Sequence, residues 1–348
     1  MGDNINTTAR VNARAAAYLT RELLEVADYR DVYGPMGVLP KQRKDMVPLR
    51  SSKTAQWRRF EHLPKVSTPL AEGVTPDGVQ VTVTDLTADL VQYGSYVMLS
   101  DITLDVVEDP QIVIWGERQG DQAVRSINTI REGVLLGGTS VAYTEGTSRA
   151  EVGTLLGATI IAKTERALSL NIARKLTTLI SPTNGYSTTP IPGAFFAITH
   201  TYIKYDVENT IGATNGFVPV QKYPTQSGVA AGEYGAINRV RFLEHEEMTY
   251  FADSGKAITS GHKSTSAAND DVFATLIVAE GAYGITPFGG YKGRGKKMDG
   301  IEGIIKEKGS AGTGDPLNQR ASVGWKLMEA TKRLNETWMY RIESAATA

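Results

Sequence analysis

The stretch of chain after residue 30 constrains the fold most, because some twenty residues there have neither a helical nor a strand period. Residues 31–53 read DVYGPMGVLPKQRKDMVPLRSSK and contain a Gly-Pro pair, Pro40 and Pro48, all of which interrupt regular structure. A structureless stretch of this length is uncommon inside one compact core. The sequence therefore predicts an extended arm whose packing surface lies elsewhere, and a second copy of the chain is one such surface.

The charge of the chain is also uneven. Residues 1–60 carry eleven basic and six acidic side chains, a net charge of +5, and because all 348 residues together have a net charge of −1, the rest is at about −6. A predicted helix over residues 8–27 contributes Arg14 and Arg21 to this basic front. Two interpretations stay open: a solvated arm, or a segment that contacts an acidic or anionic surface.

Two segments after the arm, residues 54–60 and 79–84, alternate with the period of a β-strand and are joined by a connection rich in proline. Each face of the first strand combines a ring with a charge, in the pairs Trp57 with Arg59 and Arg58 with Phe60. Because neither face is strongly apolar, a lone hairpin of this kind is unstable in water. We predict that it projects and docks on a neighbouring subunit.

The longest helical pattern runs over residues 109–137. It starts favourably at Asp109-Pro110 and would be about 40 Å long at 1.5 Å per residue. Its predicted buried stripe recurs every three or four residues, at Ile112, Trp115, Gln119, Ala123, Ile127, Ile130, Val134 and Leu135. Glycines at positions 116, 120 and 133 lead us to expect other backbones close to this helix. A second helix is predicted over residues 150–179.

The following region predicts a separate α/β unit over residues 195–320. Its expected elements are strands at 195–199, 235–243 and 273–278, a short helix at 201–209, and an exposed Gly/Ser/Thr/Lys-rich loop at 253–271. The segment after the unit, residues 320–343, is expected to be a strand or a helix. Together with the long helix and the hairpin, this unit indicates an α+β fold built from more than one layer.

Residues that could do chemistry are few and scattered. The chain has no cysteine, which excludes thiolate metal sites, disulfides and cysteine nucleophiles. Its four histidines are isolated in sequence and show no metal-ligand spacing, and we expect His62 and His262 to be exposed because they fall in turn-rich segments. Residues 289–297 are glycine-rich but lack the sequence of a phosphate-binding loop. We predict no catalytic residue, no metal site and no cofactor.

The chain also lacks sequence signals for membrane insertion or export. No run approaches 18 apolar residues, and the N-terminus has no apolar segment of the kind found in secretory signals. With 41% hydrophobic residues, the composition is that of a folded, soluble chain. We therefore expect a soluble protein that is not exported.

Eight short motifs occur in a fixed order across residues 9–343. They are QWRRF at 56–60, PLAEGVTP at 69–76, DLVQYG at 89–94, GFVPVQKY at 216–223, AYG at 282–284, GSAGT at 309–313, DPLNQR at 315–320 and VGWK at 323–326. In these motifs the sequence resembles the major capsid proteins of tailed bacteriophages, in particular the N4-like podovirus group, which has the Hong Kong 97-type capsid fold. TPLAEGVTP and the pair DPLNQR and GWK are the more specific of these motifs.

The resemblance implies a function and a division of the chain. The function is that of a structural major capsid protein, with no enzymatic activity, which assembles into the icosahedral shell around the double-stranded DNA genome of a tailed phage. The implied segments are an N-terminal arm at 1–45, an extended loop at 46–85, a peripheral domain at 86–190 with the spine helix at 109–137, an axial domain at 191–315, and a return to the peripheral domain at 316–348.

The implied partners are other copies of the chain, in pentamers and hexamers, together with packaged double-stranded DNA and separate scaffolding, portal and decoration proteins. The implied location is the virion, after assembly in the host cytoplasm, without any membrane association. We name seven candidates for contacts between subunits: Trp57, Arg58, Arg59, Phe60, Glu72, Arg14 and Arg21.

Two other function classes stay open. A hydrolase or transferase could use His245 with Glu246 or Glu247 in the 195–320 unit, and it would need a pocket that gathers these groups. A fibre or decoration protein of β type is the other alternative, and the long helix over residues 109–137 argues against it.

Overall fold

A computed structural model gives the fold of this chain in segments. The segments that it describes are residues 31–36, 53–69, 72–73, 75, 78–106, 111–177, 191–212, 216–224, 228–287, 301–309 and 316–348. The predicted helix over residues 8–27 and the glycine-rich residues 289–297 lie outside these segments.

Fourteen strands occur in the described segments. In chain order they are β1 Thr54–Phe60, β2 Val83–Asp89, β3 Val91–Ser100, β4 Val141–Tyr143, β5 Phe195–His200, β6 Phe217–Pro219, β7 Glu233–Ile237, β8 Val240–His245, β9 Tyr250–Phe251, β10 Val272–Val278, β11 Tyr283–Pro287, β12 Ile301–Lys306, β13 Arg320–Arg333 and β14 Met339–Ser344.

The helices of these segments are fewer, and one of them dominates. They are α1 Asp101–Val106, α2 Gln111–Leu136, α3 Ala158–Leu170 and α4 Thr201–Asp206, which continues as the π-helical turn Val207–Ile211. Short 3₁₀ turns occur at Gly34–Met36, Arg149–Glu151, Val220–Lys222 and Glu336–Trp338. With 26 residues, α2 is about 39 Å long at 1.5 Å per residue.

The larger of the two main sheets has eight strands in the order β4-β14-β10-β5-β8-β7-β6, with β9 paired to β10. The pairs β5 with β8 and β4 with β14 are parallel, and the others are antiparallel. Every residue of β5 and β10 is buried. Strands that are covered on both faces read as continuous apolar runs, and that is how the sequence of these two strands reads.

The two faces of this eight-stranded sheet are covered by different parts of the chain. On one face, Phe195 and Ala197 pack with Ile161 of α3 and Ile203 of α4. On the other face, the alternate strand residues pack with Leu135 at the end of α2. The sheet therefore lies in the middle of three layers, which is why its central strands have no polar face.

The smaller main sheet has four strands around the long strand β13. β3 pairs along one edge of β13, and β12 and β11 follow each other along the opposite edge. Only one face of this sheet is covered by α2, through a cluster of Val124 and Ile127 with Ile301, Trp325 and Leu327. The alternating burial of β3 follows from this one-sided packing.

The predicted arm is anchored on its own chain at residues 31–36. Asp31 accepts a hydrogen bond from Arg131 of α2, and the Arg131 guanidinium also binds Glu329 of β13 through two nitrogens. Tyr33 is fully buried against the eight-stranded sheet, and its carbonyl accepts a hydrogen bond from the Tyr283 hydroxyl. This part of the arm therefore packs inside one subunit, which differs from the expectation of a surface elsewhere.

Three predicted elements are wrong in their extent. The predicted strand over residues 235–243 is a hairpin of β7 and β8, because Asn238 adopts a left-handed backbone with φ of 51° and reverses the chain. The helix predicted over residues 150–179 is α3 alone, and Ile172 just after it has φ of 54°, which a helix cannot continue. The second hairpin strand lies at Val83–Asp89 rather than at 79–84.

Two further expectations about single residues are wrong. A Cβ at Gly116 or Gly133 of α2 would meet no other atom of the described segments within 4 Å, so these two glycines do not mark a close backbone approach. His262 is only 13% exposed in its side chain, because Nδ1 lies 2.9 Å from the buried Asp270 carboxylate. His62 is exposed as predicted.

Each of the two main sheets combines segments that are distant in sequence, and the predicted domain boundaries stay a prediction. β4 and β14 lie in the eight-stranded sheet, while residues 86–190 and 316–348 are predicted to belong to the peripheral domain. β11 and β12 lie in the four-stranded sheet with α2, although both fall inside residues 191–315. The two sheets, rather than continuous stretches of sequence, are thus the structural units.

Candidate inter-subunit interface

The base of the β1–β2 hairpin is attached to its own subunit. β1 and β2 pair antiparallel from Thr54 opposite Asp89 to Phe60 opposite Val83. Trp57 is 4% exposed and lies on Gly284 of β11, where a Cβ would come within 2.5 Å of the indole Nε1. The absence of a side chain at Gly284 is therefore what lets the indole dock there.

Arg59, on the same face as Trp57, also turns toward its own chain. Its Nη1 donates a hydrogen bond of 3.0 Å to the carbonyl of Leu334, and its Nε and Nη2 donate to Glu61. Trp57 and Arg59 thus hold the hairpin to the subunit and have their partners within it.

The opposite face of β1 points away from the subunit. The Arg58 Nε donates a hydrogen bond of 2.7 Å to Asp85 of β2, and both side chains are solvent-exposed. This hydrogen bond holds the pKa of Asp85 below its usual range and raises the pKa of Arg58. Phe60 is 65% exposed, so its ring offers apolar area that this subunit leaves uncovered.

The seven sequence-predicted contact residues therefore separate into three groups. Trp57 and Arg59 pack within the subunit. Arg58, Phe60 and Glu72 are exposed or lie on the outward face. The remaining two candidates, Arg14 and Arg21, lie outside the described segments.

The connection between β1 and β2 is exposed wherever the structure describes it. Every residue from Glu61 to Pro69 and from Gly78 to Thr82 is exposed. It carries apolar side chains along its length, at Leu63, Val66, Val79 and Val81. An exposed apolar segment of this size marks an interaction surface on a soluble protein.

A second exposed apolar area lies at the four-stranded sheet. Tyr96 and Met98 point from the face of β3 that α2 does not cover, and they are 68% and 56% exposed. Ile102 and Val106 lie one turn apart on α1, and both are exposed. Sequence reasoning missed this area, although the alternation of apolar and polar residues over β3 was a usable signal.

A cleft of about 840 Å³ lies beside the base of the hairpin. Residues 56–62 of β1 and its continuation form one wall. The opposite walls are Leu86, Asn171, Arg174, Glu280, Gly281, Leu334, Asn335, Thr337 and Trp338.

Comparisons with solved structures give similar folds over nearly the whole chain. The chain matches the capsid of Ralstonia phage GP4 with a TM-score of 0.64 and 10% sequence identity, over 92% of each chain. It matches the cyanophage Pam1 capsid asymmetric unit with a TM-score of 0.56 and 13% identity, over 92% of this chain and 93% of that one. The chain has the Hong Kong 97-type capsid fold.

A third similar structure supports the same fold assignment. The head structure of Helicobacter pylori bacteriophage KHP40 matches with a TM-score of 0.56 and 9% identity, over 91% of each chain. No protein-family model matches this sequence, and no curated protein matches it either. The α+β class and the long helix predicted from the sequence are confirmed by these matches.

The residues of the enzyme alternative are not gathered in this capsid fold. His245 is 9% exposed and packs against the ring of Tyr33 at 5.5 Å between centroids. Burial lowers the pKa of His245 to about 4, so the ring is neutral near pH 7. Glu247 instead pairs with Arg125 of α2 on the surface, and the cleft beside the hairpin contains neither His245 nor Glu246.

The described segments contain neither a metal-ligand cluster nor a membrane-spanning helix. There, no group of three or more His, Asp or Glu side chains comes together as a metal site would require. Within the same residues no helix is both long enough and apolar enough to span a bilayer.

Proposed function

We propose that this chain is a major capsid protein, which assembles into the icosahedral shell enclosing the double-stranded DNA genome of a tailed phage. The observation that carries the proposal is the match to phage capsid chains over about nine-tenths of both chains.

In this function the chain provides contact surfaces for other subunits and catalyses no reaction. The assembly energy comes from many modest contacts repeated around closed symmetry. The exposed face of β1, the connection after it, and the uncovered face of the four-stranded sheet are the areas that a single subunit leaves unpaired. We assign no catalytic residue and no cofactor to the protein.

The parts of the fold take the following roles in the proposal. The eight-stranded sheet is the body of the axial domain, which meets its copies around the five-fold and six-fold axes. The four-stranded sheet with α2 is the peripheral domain, and the β1–β2 hairpin is the extended loop that lies across a neighbouring subunit. Residues 1–45 are the proposed N-terminal arm, of which residues 31–36 pack within their own subunit.

We assign the chain to the N4-like podovirus group within this fold. The support is sequence-based: the motifs TPLAEGVTP and DPLNQR with GWK occur in the order of that group. Scaffolding, portal and decoration proteins are proposed as separate partners. The virion is the proposed location, after assembly in the host cytoplasm.

The mass of the purified particle tests this function. We expect megadalton shells that electron microscopy shows to be closed and icosahedral. A stable monomer at high protein concentration, under conditions that assemble related heads, would contradict the proposal.

Two variants test the assigned contacts within the same assay. Deletion of residues 2–30 and the charge reversal Arg58→Glu should each block shells while the subunit stays folded, because neither change removes a buried residue of the described segments. Deletion to residue 45 would also remove the buried Tyr33, so it would confuse assembly with folding. Wild-type shells from either variant would contradict the roles of the arm and the hairpin.

A further inference from the structure

The cleft beside the hairpin has the composition of a peptide site. Its floor is apolar, formed by Trp57, Leu86, Leu334 and Trp338. Its rim carries charged side chains, among them Arg58, Arg174 and Glu280. A concave apolar floor with a few polar groups at its edge is the usual form of a recognition site.

One wall of the cleft is the edge of a strand. Residues 56–62 line it consecutively, although successive side chains of a strand point to opposite faces. The strand therefore meets the cleft with its edge. Among the described residues β1 has one strand neighbour, β2, so a further extended segment can lie along its other side.

The charge at the rim favours an acidic occupant. Arg174 is exposed, and within the described part of the chain its guanidinium has no ion-pair partner. The contact between the nearby Glu280 and Arg174 is a backbone hydrogen bond of 3.0 Å, from the Glu280 amide to the Arg174 carbonyl, and it does not involve the two charged groups. A carboxylate brought in by the occupant would therefore find an unpaired cation.

The chain itself contains a segment of matching chemistry in residues 66–78, which read VSTPLAEGVTPDG. This segment has Leu70 and Val74 as apolar side chains for an apolar floor, and it carries Glu72 and Asp77 without any basic residue. We propose that residues 66–78 of one copy occupy the cleft of a second copy, with Glu72 facing Arg174. The inference rests on the proposed function, because it needs subunits held side by side.

The described part of the segment does not occupy the cleft of its own subunit. Residues 66–69, 72, 73, 75 and 78 are all exposed. None of them is among the residues that line the cleft. The cleft of one copy is therefore open to this segment of a second copy.

Cysteine pairing tests the contact directly, because the chain has no cysteine of its own. Glu72→Cys and Arg174→Cys are prepared as separate full-length proteins, mixed, assembled into shells and oxidised. We expect disulfide-linked dimers at least tenfold above those from either protein alone. Lys222→Cys replaces Arg174→Cys as the control, since Lys222 is also an exposed cation but does not line the cleft.

The outcomes separate this inference from the proposed function. Shells that form without dimers above the Lys222 control overturn the cleft assignment and leave the shell function standing. If Arg174→Cys forms dimers with Arg14→Cys and not with Glu72→Cys, the N-terminal arm is the occupant of the cleft. That result also overturns the inference. Failure of the wild-type chain to form shells overturns the function, and the inference with it.

A charge swap gives a second and independent measurement. Glu72→Arg and Arg174→Glu should each reduce the yield of shells at least tenfold, and the double variant should restore most of it. Lys222→Glu should leave the yield unchanged. Single variants that assemble as well as the wild type would overturn the pairing of Glu72 with Arg174.

Discussion

The two main sheets of this chain differ in how much of their apolar surface is buried within one subunit. Both faces of the eight-stranded sheet are covered within one subunit, and its strands β5 and β10 are buried at every position. Within the described segments the four-stranded sheet and its hairpin are covered on one face only, and Phe60, Tyr96 and Met98 stay largely exposed. Stability of the single subunit is therefore concentrated in the first region, and association in the second.

This difference explains how one chain can form a folded subunit and still have surface left for assembly. Burial of apolar area contributes roughly 25 cal/mol per Å² wherever it occurs, inside a subunit or between subunits. The region that is already covered gains nothing from a neighbour. The region with one uncovered face can bury the apolar area of that face only by association with another subunit.

The strongest contrast is expected between two phenylalanines, one in each region. Phe242→Ala in β8 removes a fully buried ring and should cost about 3–5 kcal/mol of unfolding free energy, as large-to-small changes in a packed core do. Phe60→Ala should change that free energy by less than about 0.5 kcal/mol, because the ring is mostly exposed. Urea unfolding of the full chain measures both.

Phe60→Ala should nevertheless reduce shell formation strongly, while Phe242→Ala lowers the amount of folded subunit. A large loss of stability in Phe60→Ala would show that the hairpin is part of the core, and the contrast between the regions would fail.

The next contrast uses two arginines of the same helix. Arg131 is buried between Asp31 and Glu329, and although burial alone lowers its pKa, these two carboxylates outweigh that effect and raise it. Arg131→Met leaves both carboxylates without their cation, and breaking a buried pair in this way costs about 3–5 kcal/mol.

Arg125→Met is the matched control. Arg125 pairs with Glu247 while about half of each side chain is exposed, so its loss should cost at most about 1 kcal/mol. Equal midpoints for the two variants in urea would show that the anchored residues 31–36 add little to the fold.

The sequence predicts elements well where periodicity is strong and local. The long helix is predicted at 109–137 and observed at Gln111–Leu136, and β1 is predicted at its observed bounds. The division of residues 235–243 into two strands was missed, because both strands are apolar and one left-handed residue, Asn238, makes the turn. The alternation of side chains between two faces can continue through such a short turn, so the sequence pattern does not reveal it.

The contact site was predicted less well, because its geometry depends on residues that are distant in sequence. Asp31 and Glu329 lie 100 and 198 positions from Arg131, so no local pattern marks the anchor. The sequence of β1 alone predicts Trp57 as an interface residue, and only the bare backbone of the distant Gly284 lets it dock inward. The outward orientation of Arg58 and Phe60 can be predicted from the alternation of side chains along β1 alone.

A smaller effect is expected for acid stability at the junction of the two regions. Burial lowers the pKa of His245 to about 4 in the folded chain, against about 6.5 in an unfolded one. Between these values the unfolded chain binds more protons, so stability falls as the pH falls from 6.5 to 4, by about 2–3 kcal/mol at the lower end.

His245→Gln should flatten this pH dependence of the thermal midpoint. His200, whose pKa burial also lowers, remains in this variant and contributes in the same sense. An unchanged pH profile in His245→Gln would remove this histidine from the acid response of the junction.

The smallest contrast concerns two glycines whose replacement by alanine should have opposite signs. At Gly284 a new Cβ would lie within 2.5 Å of Trp57 Nε1, so Gly284→Ala should destabilise the hairpin base by about 1–3 kcal/mol through overpacking. At Gly133 a Cβ would meet nothing within 4 Å, so Gly133→Ala should stabilise α2 by roughly 0.5–1 kcal/mol through helix propensity. Limited proteolysis within residues 61–82 should accelerate only in Gly284→Ala, because only there is the docked Trp57 displaced. Equal cleavage rates in the two variants would mean that the hairpin is held by β-pairing and not by its indole.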